Sequence, residues 1–141
     1  ETIAVIGGGV TGLETAETLA KDHKVTVIEI LNKVGGNLYP SIVMHLVQEI
    51  RKHGGAIEKG KGLLSIEDGK ITVKDMATEE TEEIPADQVV LALGVRPNRP
   101  DYDALKREFG DKLILAGDAA KGGQIFDALH AGYDRAFVFE L

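Results

Sequence analysis

The stretch "IAVIGGGVTGLETAETLAKDHKVTVIE", residues 3–29, decides the fold. A short apolar run ends in three consecutive glycines, Gly7, Gly8 and Gly9, and a helical pattern opens directly behind them. Thr2 to Ile6 reads as a strand buried on both faces, because such strands are near-continuous in apolar residues. From Val10 to Asp22, the residues Leu13, Ala16, Leu19 and Ala20 recur at helical spacing with polar residues between them. Lys24 to Ile30 is a second strand, rich in the β-branched Val25, Thr26, Val27 and Ile28. Strand, helix and strand in so short a span make a right-handed βαβ unit.

Within that unit Gly7, Gly9 and Gly12 satisfy the spacing G-x-G-x-x-G. Each glycine has its own physical reason. Gly7 permits the tight turn out of the strand. Gly9 lacks a Cβ, so a pyrophosphate can approach the main chain and meet the N–H groups and positive dipole of the helix start. Gly12 lets the helix lie close to the first strand. Gly8, Val10 and Thr11 complete the loop and first turn that would touch the phosphates. Glu29 ends the second strand 22 residues after Gly7, where an acid is expected to hold the ribose hydroxyls of the adenosine half. A glycine-rich turn without a ligand is the competing explanation. The coincidence of glycines, strand, helix and terminal acid favours a dinucleotide seat.

Further along, Asn32 to Pro40 reads as a loop, and Ser41 is placed to cap a second helix with Ile42, Val43, Leu46, Val47 and Ile50 on one face. "LLSIEDGKITVKD" is two alternating runs joined by Asp68-Gly69, a strong hairpin signal. A third antiparallel strand is expected near Thr81 to Ile84, and another apolar strand from Asp87 to Leu93. After the break "VRPNRP" come a short helix in "DYDALKREFG", a strand in "KLILAGDAA", and a final helix from Ile125 to about Phe139. The fold class is therefore α/β: a Rossmann-like parallel sheet with helices on both faces and an inserted antiparallel β-meander.

Composition narrows the function. The 141 residues carry a formal net charge of −7 and no basic cluster, which argues against a nucleic-acid surface. Hydrophobic residues at 43% and charged residues at 28% are ordinary for a globular protein. The absence of cysteine removes a disulfide framework, a thiolate metal site and an iron–sulfur cluster. No apolar run approaches the roughly 20 residues that span a bilayer, so no membrane partner and a cytoplasmic location are expected. The four histidines are scattered without metal-ligand spacing, and no metal site is expected. No catalytic acid, base or nucleophile is nominated either.

The order of elements resembles the NAD(P)-binding domain of flavoproteins with two dinucleotide-binding domains, of the disulfide-reductase type. That family carries G-x-E-x-A behind its glycine motif, and here Gly12, Glu14 and Ala16 stand so. The resemblance implies nicotinamide over flavin as ligand. It also covers "ALGVRPN", Ala92 to Asn98, which places Gly94 among the cofactor-binding residues, and "LILAGDAA", whose Asp118 would meet a flavin. "IFDALHAG", Ile125 to Gly132, is similar to the return helix of the Old Yellow Enzyme-like branch, with its NADH:flavin oxidoreductases, 2,4-dienoyl-CoA reductase and trimethylamine dehydrogenase.

The resemblance implies an NAD(P)-binding domain over residues 1–98 and a return segment over 99–141, leading to an FAD-binding domain absent from this sequence. The chain is then expected to be a fragment of a flavin-dependent NADH oxidoreductase, presenting NADH for hydride transfer to a flavin. NAD(H) is expected over NADP(H), since Glu29 would repel a 2′-phosphate. FAD and FMN belong to the parent enzyme and are not expected in this chain, which should bind nucleotide without turnover. Two other readings remain open: a structural ADP-binding module, and an FAD-binding domain proper. The expected partners are the dinucleotide and the parent's flavin-binding domain. A homodimer is also expected, through an apolar tail of Ile125, Phe126, Leu129, Tyr133, Ala136, Phe137, Val138, Phe139 and Leu141.

Overall fold

The computed structural model of the chain describes residues 1–137. By internal contacts the chain divides into two units, Glu1–Gly94 and a second that begins at Val95.

The first unit runs β1 (Thr2–Ile6), α1 (Val10–Leu19), β2 (Lys24–Glu29), α2 (Pro40–Lys52), β3 (Ala56–Lys59), β4 (Lys61–Glu67), β5 (Lys70–Asp75), β6 (Thr81–Pro85) and β7 (Gln88–Leu91). Four strands form a parallel sheet in the order β3-β2-β1-β7, and β4-β5-β6 form an antiparallel sheet. This is an α/β Rossmann-like fold.

Handedness explains the layering. The steps from β1 to β2 and from β2 to β3 go the same way across the sheet, so right-handed crossovers place α1 and α2 on one face. The return from β3 passes β1 to reach β7 on the other side. The same handedness sends that connection over the opposite face, and the connection is the meander. Within this unit, then, the face expected to carry further helices carries the small antiparallel sheet.

The side chains of β1 alternate to match. Ile3 and Val5 join Val25 and Val27 of β2 under Leu13, Ala16, Ala20, Leu46 and Ile50 of the helical layer. Ala4 and Ile6 point the other way, with Ile28, onto Ile71, Val73 and Ala86 of the meander side. A strand covered on both faces needs apolar residues at every position, and that is why its sequence shows no alternation.

Three local expectations change. Helix α2 starts one residue before Ser41, at Pro40 behind Tyr39, without a side-chain cap. Proline suits the first helical position because its missing N–H would have no intrahelical partner there. The strand β3, "AIEK", was not anticipated; it is short and pairs in parallel with β2 from Thr26 to Glu29. Conversely, Leu113–Ala116 of "KLILAGDAA" is not a strand, and Gly117–Ala119 form one 3-10 turn. An apolar run becomes a strand only through a ladder partner, and the two sheets contain only β1–β7 among the described residues.

The second unit contains α3 (Tyr102–Phe109), two 3-10 turns and α4 (Ile125–Phe137). Arg99 ties it together locally: its Nε donates to the Ala119 carbonyl and its Nη2 to the Ala120 carbonyl, while the guanidinium lies 5.8 Å from the Tyr102 ring centroid. The Gln124 N–H donates to Asp127 at 2.8 Å, which caps the start of α4. Ile125, Phe126, Leu129, Tyr133 and Phe137 are exposed on that helix. Val138, Phe139 and Leu141, expected to extend the apolar tail, lie outside the described residues.

Candidate functional site: the glycine loop at the end of the parallel sheet

The candidate site lies where β1 ends, at the point where the strand order reverses between β2 and β7. Sheets of this kind leave a crevice beyond the carboxyl ends of their strands at such a reversal. Gly7 takes φ +108°, and a Cβ there would collide with the Ala92 carbonyl oxygen just beyond β7. Its N–H donates to the Ile28 carbonyl at 2.8 Å, so the turn begins while the chain is still in the ladder. A Cβ on Gly12 would strike the Gly7 carbonyl oxygen, which shows how closely α1 approaches the loop it follows.

Gly9 differs from both. It is the N-cap of α1, has φ −72° and ψ −169°, and a Cβ there would meet nothing within 4 Å. The space beside it is open. The first turn of α1 has neither a side-chain cap nor an acidic residue. Its leading N–H groups have no partner inside the helix, as at every helix start. Those donors and the positive end of the helix dipole form a seat for an anion. Val10 is half-buried and Thr11 exposed in this first turn, while Glu14 sits exposed one turn on.

Glu29, the last residue of β2, is the buried charged residue of the core, at 9% exposure. Its Oε2 accepts the Gly8 N–H at 2.7 Å, and its Oε1 accepts the Leu31 N–H at 2.8 Å. A carboxylate has about four lone-pair sites, so two acceptor positions remain for ligand hydroxyl groups. The acid therefore grips the glycine loop and keeps acceptor capacity at the same time.

The structure thus brings Gly7, Gly8, Gly9, Val10, Thr11, Gly12 and Glu29 into one neighbourhood. Gly94, at φ +83°, follows Ala92, whose N–H donates to the Ile6 carbonyl at 2.7 Å, so it leaves the same end of the sheet. Asp118 belongs to the second unit, where its Oδ1 accepts the Gly123 N–H at 3.3 Å.

Residues 34 and 35 escaped sequence reasoning. Val34 packs its Cγ1 where a Cβ of Gly8 would sit, at 2.7 Å, and the Gly35 N–H donates to the Gly8 carbonyl at 2.7 Å. The pair Gly35-Gly36, six residues after Glu29, was the available signal. The sequence reading takes it only as part of the loop from Asn32 to Pro40.

Layers, reversal point, glycine loop and terminal acid define a Rossmann-type domain, and its similarity to known proteins places it among the NAD(P)/FAD-binding flavoproteins. Residues 1–118 match the family described as pyridine nucleotide-disulphide oxidoreductase, and the chain belongs to that family. It is 31% identical to an NADH oxidase of Thermoanaerobacter brockii over 97% of this chain and 21% of that protein. It is 27% identical to a metal reductase of Desulforamulus reducens over 99% of this chain and 25% of that protein. The solved structure of histamine dehydrogenase from Rhizobium sp. 4-9 shares the fold, with a TM-score of 0.79 at 20% identity, over 100% of this chain and 24% of that one. The chain spans about a fifth to a quarter of the length of these relatives. The relatives are oxidoreductases, and the family implies pyridine nucleotide and flavin as cofactors. No helix among the described residues is long and apolar enough to cross a membrane.

Proposed function

We propose that this chain is the nicotinamide dinucleotide-binding domain of a flavin-dependent NADH oxidoreductase of the Old Yellow Enzyme-like branch. The observation that carries the reading is Glu29, buried at the end of β2 and fastened to the glycine loop. A loop held by the acid that faces the ribose is suited to a dinucleotide.

The residues fit the ligand class. Gly9 leaves room for a pyrophosphate beside the main chain, and the N–H groups of Val10, Thr11 and Gly12 open α1 without a competing carboxylate. Glu29 has acceptor positions left for ribose hydroxyls. When bound, the nicotinamide supplies a hydride. The chain's own part is to seat, orient and select, which is what a protein contributes to cofactor chemistry. Glu14, exposed one turn into α1, and Gly94, which leaves the same end of the sheet as β1, complete the proposed contacts. Asp118 is proposed to touch flavin in a longer parent protein, and the remaining domains of that protein hold FAD and FMN.

A carboxylate beside the ribose repels a 2′-phosphate, so the proposal includes NADH over NADPH. Titration calorimetry with both nucleotides tests it. The expected result is tighter NADH binding, with the difference narrowed in Glu29→Ala. Equal or tighter NADPH binding overturns the assignment of Glu29. A structural nucleotide-binding role would appear as NADH binding without reduction of flavin in the full-length protein.

The isolated chain is proposed to bind nucleotide without retaining FAD or oxidising NADH. Purified protein with a stoichiometric flavin absorbance band would overturn that. The lack of cysteine suits a reducing cytoplasm, which is the proposed location. A homodimer is proposed through the exposed apolar residues of α4, with light scattering after size exclusion as its test. A monomer at micromolar concentration would count against it.

A further inference from the structure

We infer that Gly35 is a positioning residue for the dinucleotide loop, acting through the Gly8 peptide; the inference rests on that loop being the nucleotide seat. Gly8 is held on both sides of its Cα, through the peptide group that precedes it and the one that follows it. Its N–H donates to Glu29 Oε2 at 2.7 Å, and its carbonyl accepts the Gly35 N–H at 2.7 Å. Both hydrogen bonds lie within the ordinary range for amides. Each contact comes from a different part of the chain, one from the end of β2 and the other from the connection to α2.

Gly35 is in turn fixed to α2. It takes φ +91°, and a Cβ there would collide with Val43 Cγ2. The Gly35 carbonyl accepts the Leu38 N–H at 3.0 Å, and the Tyr39 carbonyl accepts the N–H groups of Ile42 and Val43. A continuous path therefore joins the first turn of α2 to Gly35, then to Gly8, then to Glu29. The consequence for binding is directional. The Gly8 carbonyl that Gly35 holds shares a peptide plane with the N–H of the open-faced Gly9, so fixing it sets where that N–H and those behind it aim. Gly36 provides an internal control. It also has a positive φ, +54°, but a Cβ there would meet nothing within 4 Å.

The experiment uses the full chain in two arms. In the first, amide hydrogen exchange is followed without ligand in wild type, Gly35→Ala and Gly36→Ala. Gly35→Ala should speed exchange at the Gly8 amide severalfold, while the β1–β2 ladder amides stay protected and Gly36→Ala leaves Gly8 unchanged. In the second arm, NADH titration should show roughly fivefold weaker binding in Gly35→Ala than in wild type, the scale of one lost hydrogen bond. The double variant Gly35→Ala with Val43→Ala removes the colliding methyl groups. It should recover part of the loss, and it serves where the single variant does not fold.

Unchanged Gly8 exchange in the folded Gly35 variants overturns the inference, as does an equal effect from Gly36→Ala. Wild type that fails to bind NADH removes the functional reading instead, and the exchange arm then decides whether Gly35 fixes the loop. Wild-type binding matched by Gly35→Ala removes the positioning role and leaves the functional reading intact.

Discussion

The two ends of the parallel sheet each carry an acid that accepts backbone N–H groups, and they use it differently. At the carboxyl ends of the strands, buried Glu29 accepts from Gly8 and Leu31. At the amino ends, exposed Asp87 accepts from the Thr2 N–H at 2.7 Å and from the Thr2 hydroxyl at 2.8 Å. Asp87 joins the starts of β1 and β7 at the exposed surface. Glu29 holds a glycine loop with open space at Gly9 beyond it. The same chemistry is a surface staple at one end and part of the proposed ligand seat at the other. Burial and the neighbouring glycines make the difference.

The largest effect should come from Gly12→Ala. Its Cβ would meet the Gly7 carbonyl oxygen, a backbone atom that cannot rotate away. Overpacking of this kind costs about 1–3 kcal/mol, and NADH binding should be lost with it. Chemical denaturation and calorimetry measure the two losses; full stability with full binding would show that α1 can move away from the loop.

Glu29→Ala comes next. It leaves the buried Gly8 N–H and the part-buried Leu31 N–H without their acceptor; the Gly8 group alone carries the desolvation cost, about 1–3 kcal/mol, because the Leu31 group can turn to solvent. Denaturant unfolding should register this even without ligand. A variant as stable as wild type would make Glu29 no more than a second Asp87.

Gly9→Ala should separate folding from binding. Its φ of −72° suits alanine, and its Cβ would enter open space. Stability should stay within about 0.5 kcal/mol, while NADH affinity falls about tenfold as the methyl occupies the phosphate approach. Unchanged affinity would mean that the phosphates do not pass Gly9.

The smallest effect concerns Asp87. The backbone hydrogen bond from Thr2, followed by the Thr2 hydroxyl, holds its carboxyl below the usual 3.8. A carboxylate depressed in the folded state adds stability above its unfolded value, and that stability is lost as pH falls through the folded value. The acid limb of the melting curve should therefore steepen below about pH 4 in wild type. Asp87→Asn should flatten it slightly. An identical acid limb in both would leave Asp87 without energetic weight.

Much of this molecule was readable from its chain. In the opening βαβ unit the first strand announced itself by its apolar run and the second by its β-branched residues, and G-x-G-x-x-G with Glu29 located the proposed seat. β3 was not readable because "AIEK" is short, half-buried and half charged, and only its parallel neighbour makes it a strand. "KLILAGDAA" failed in the opposite sense: its apolar residues look like a strand, but a ladder depends on a partner that no local pattern specifies. The hydrogen bond from Gly35 to Gly8 was also invisible, since spacing along the chain does not reveal which loop will rest on which.

The glycine loop has a thermodynamic consequence of its own. Glycine gives up more backbone freedom on folding than any other residue, and fixing one residue costs roughly 1–2 kcal/mol at room temperature. Gly7 and Gly8 are fastened by hydrogen bonds to Ile28, Glu29 and Gly35, all of them groups of the chain itself. Their disorder is therefore surrendered when the domain folds. A dinucleotide at the proposed seat would meet a loop with little entropy left to lose, so more of its intrinsic contact energy would remain as affinity.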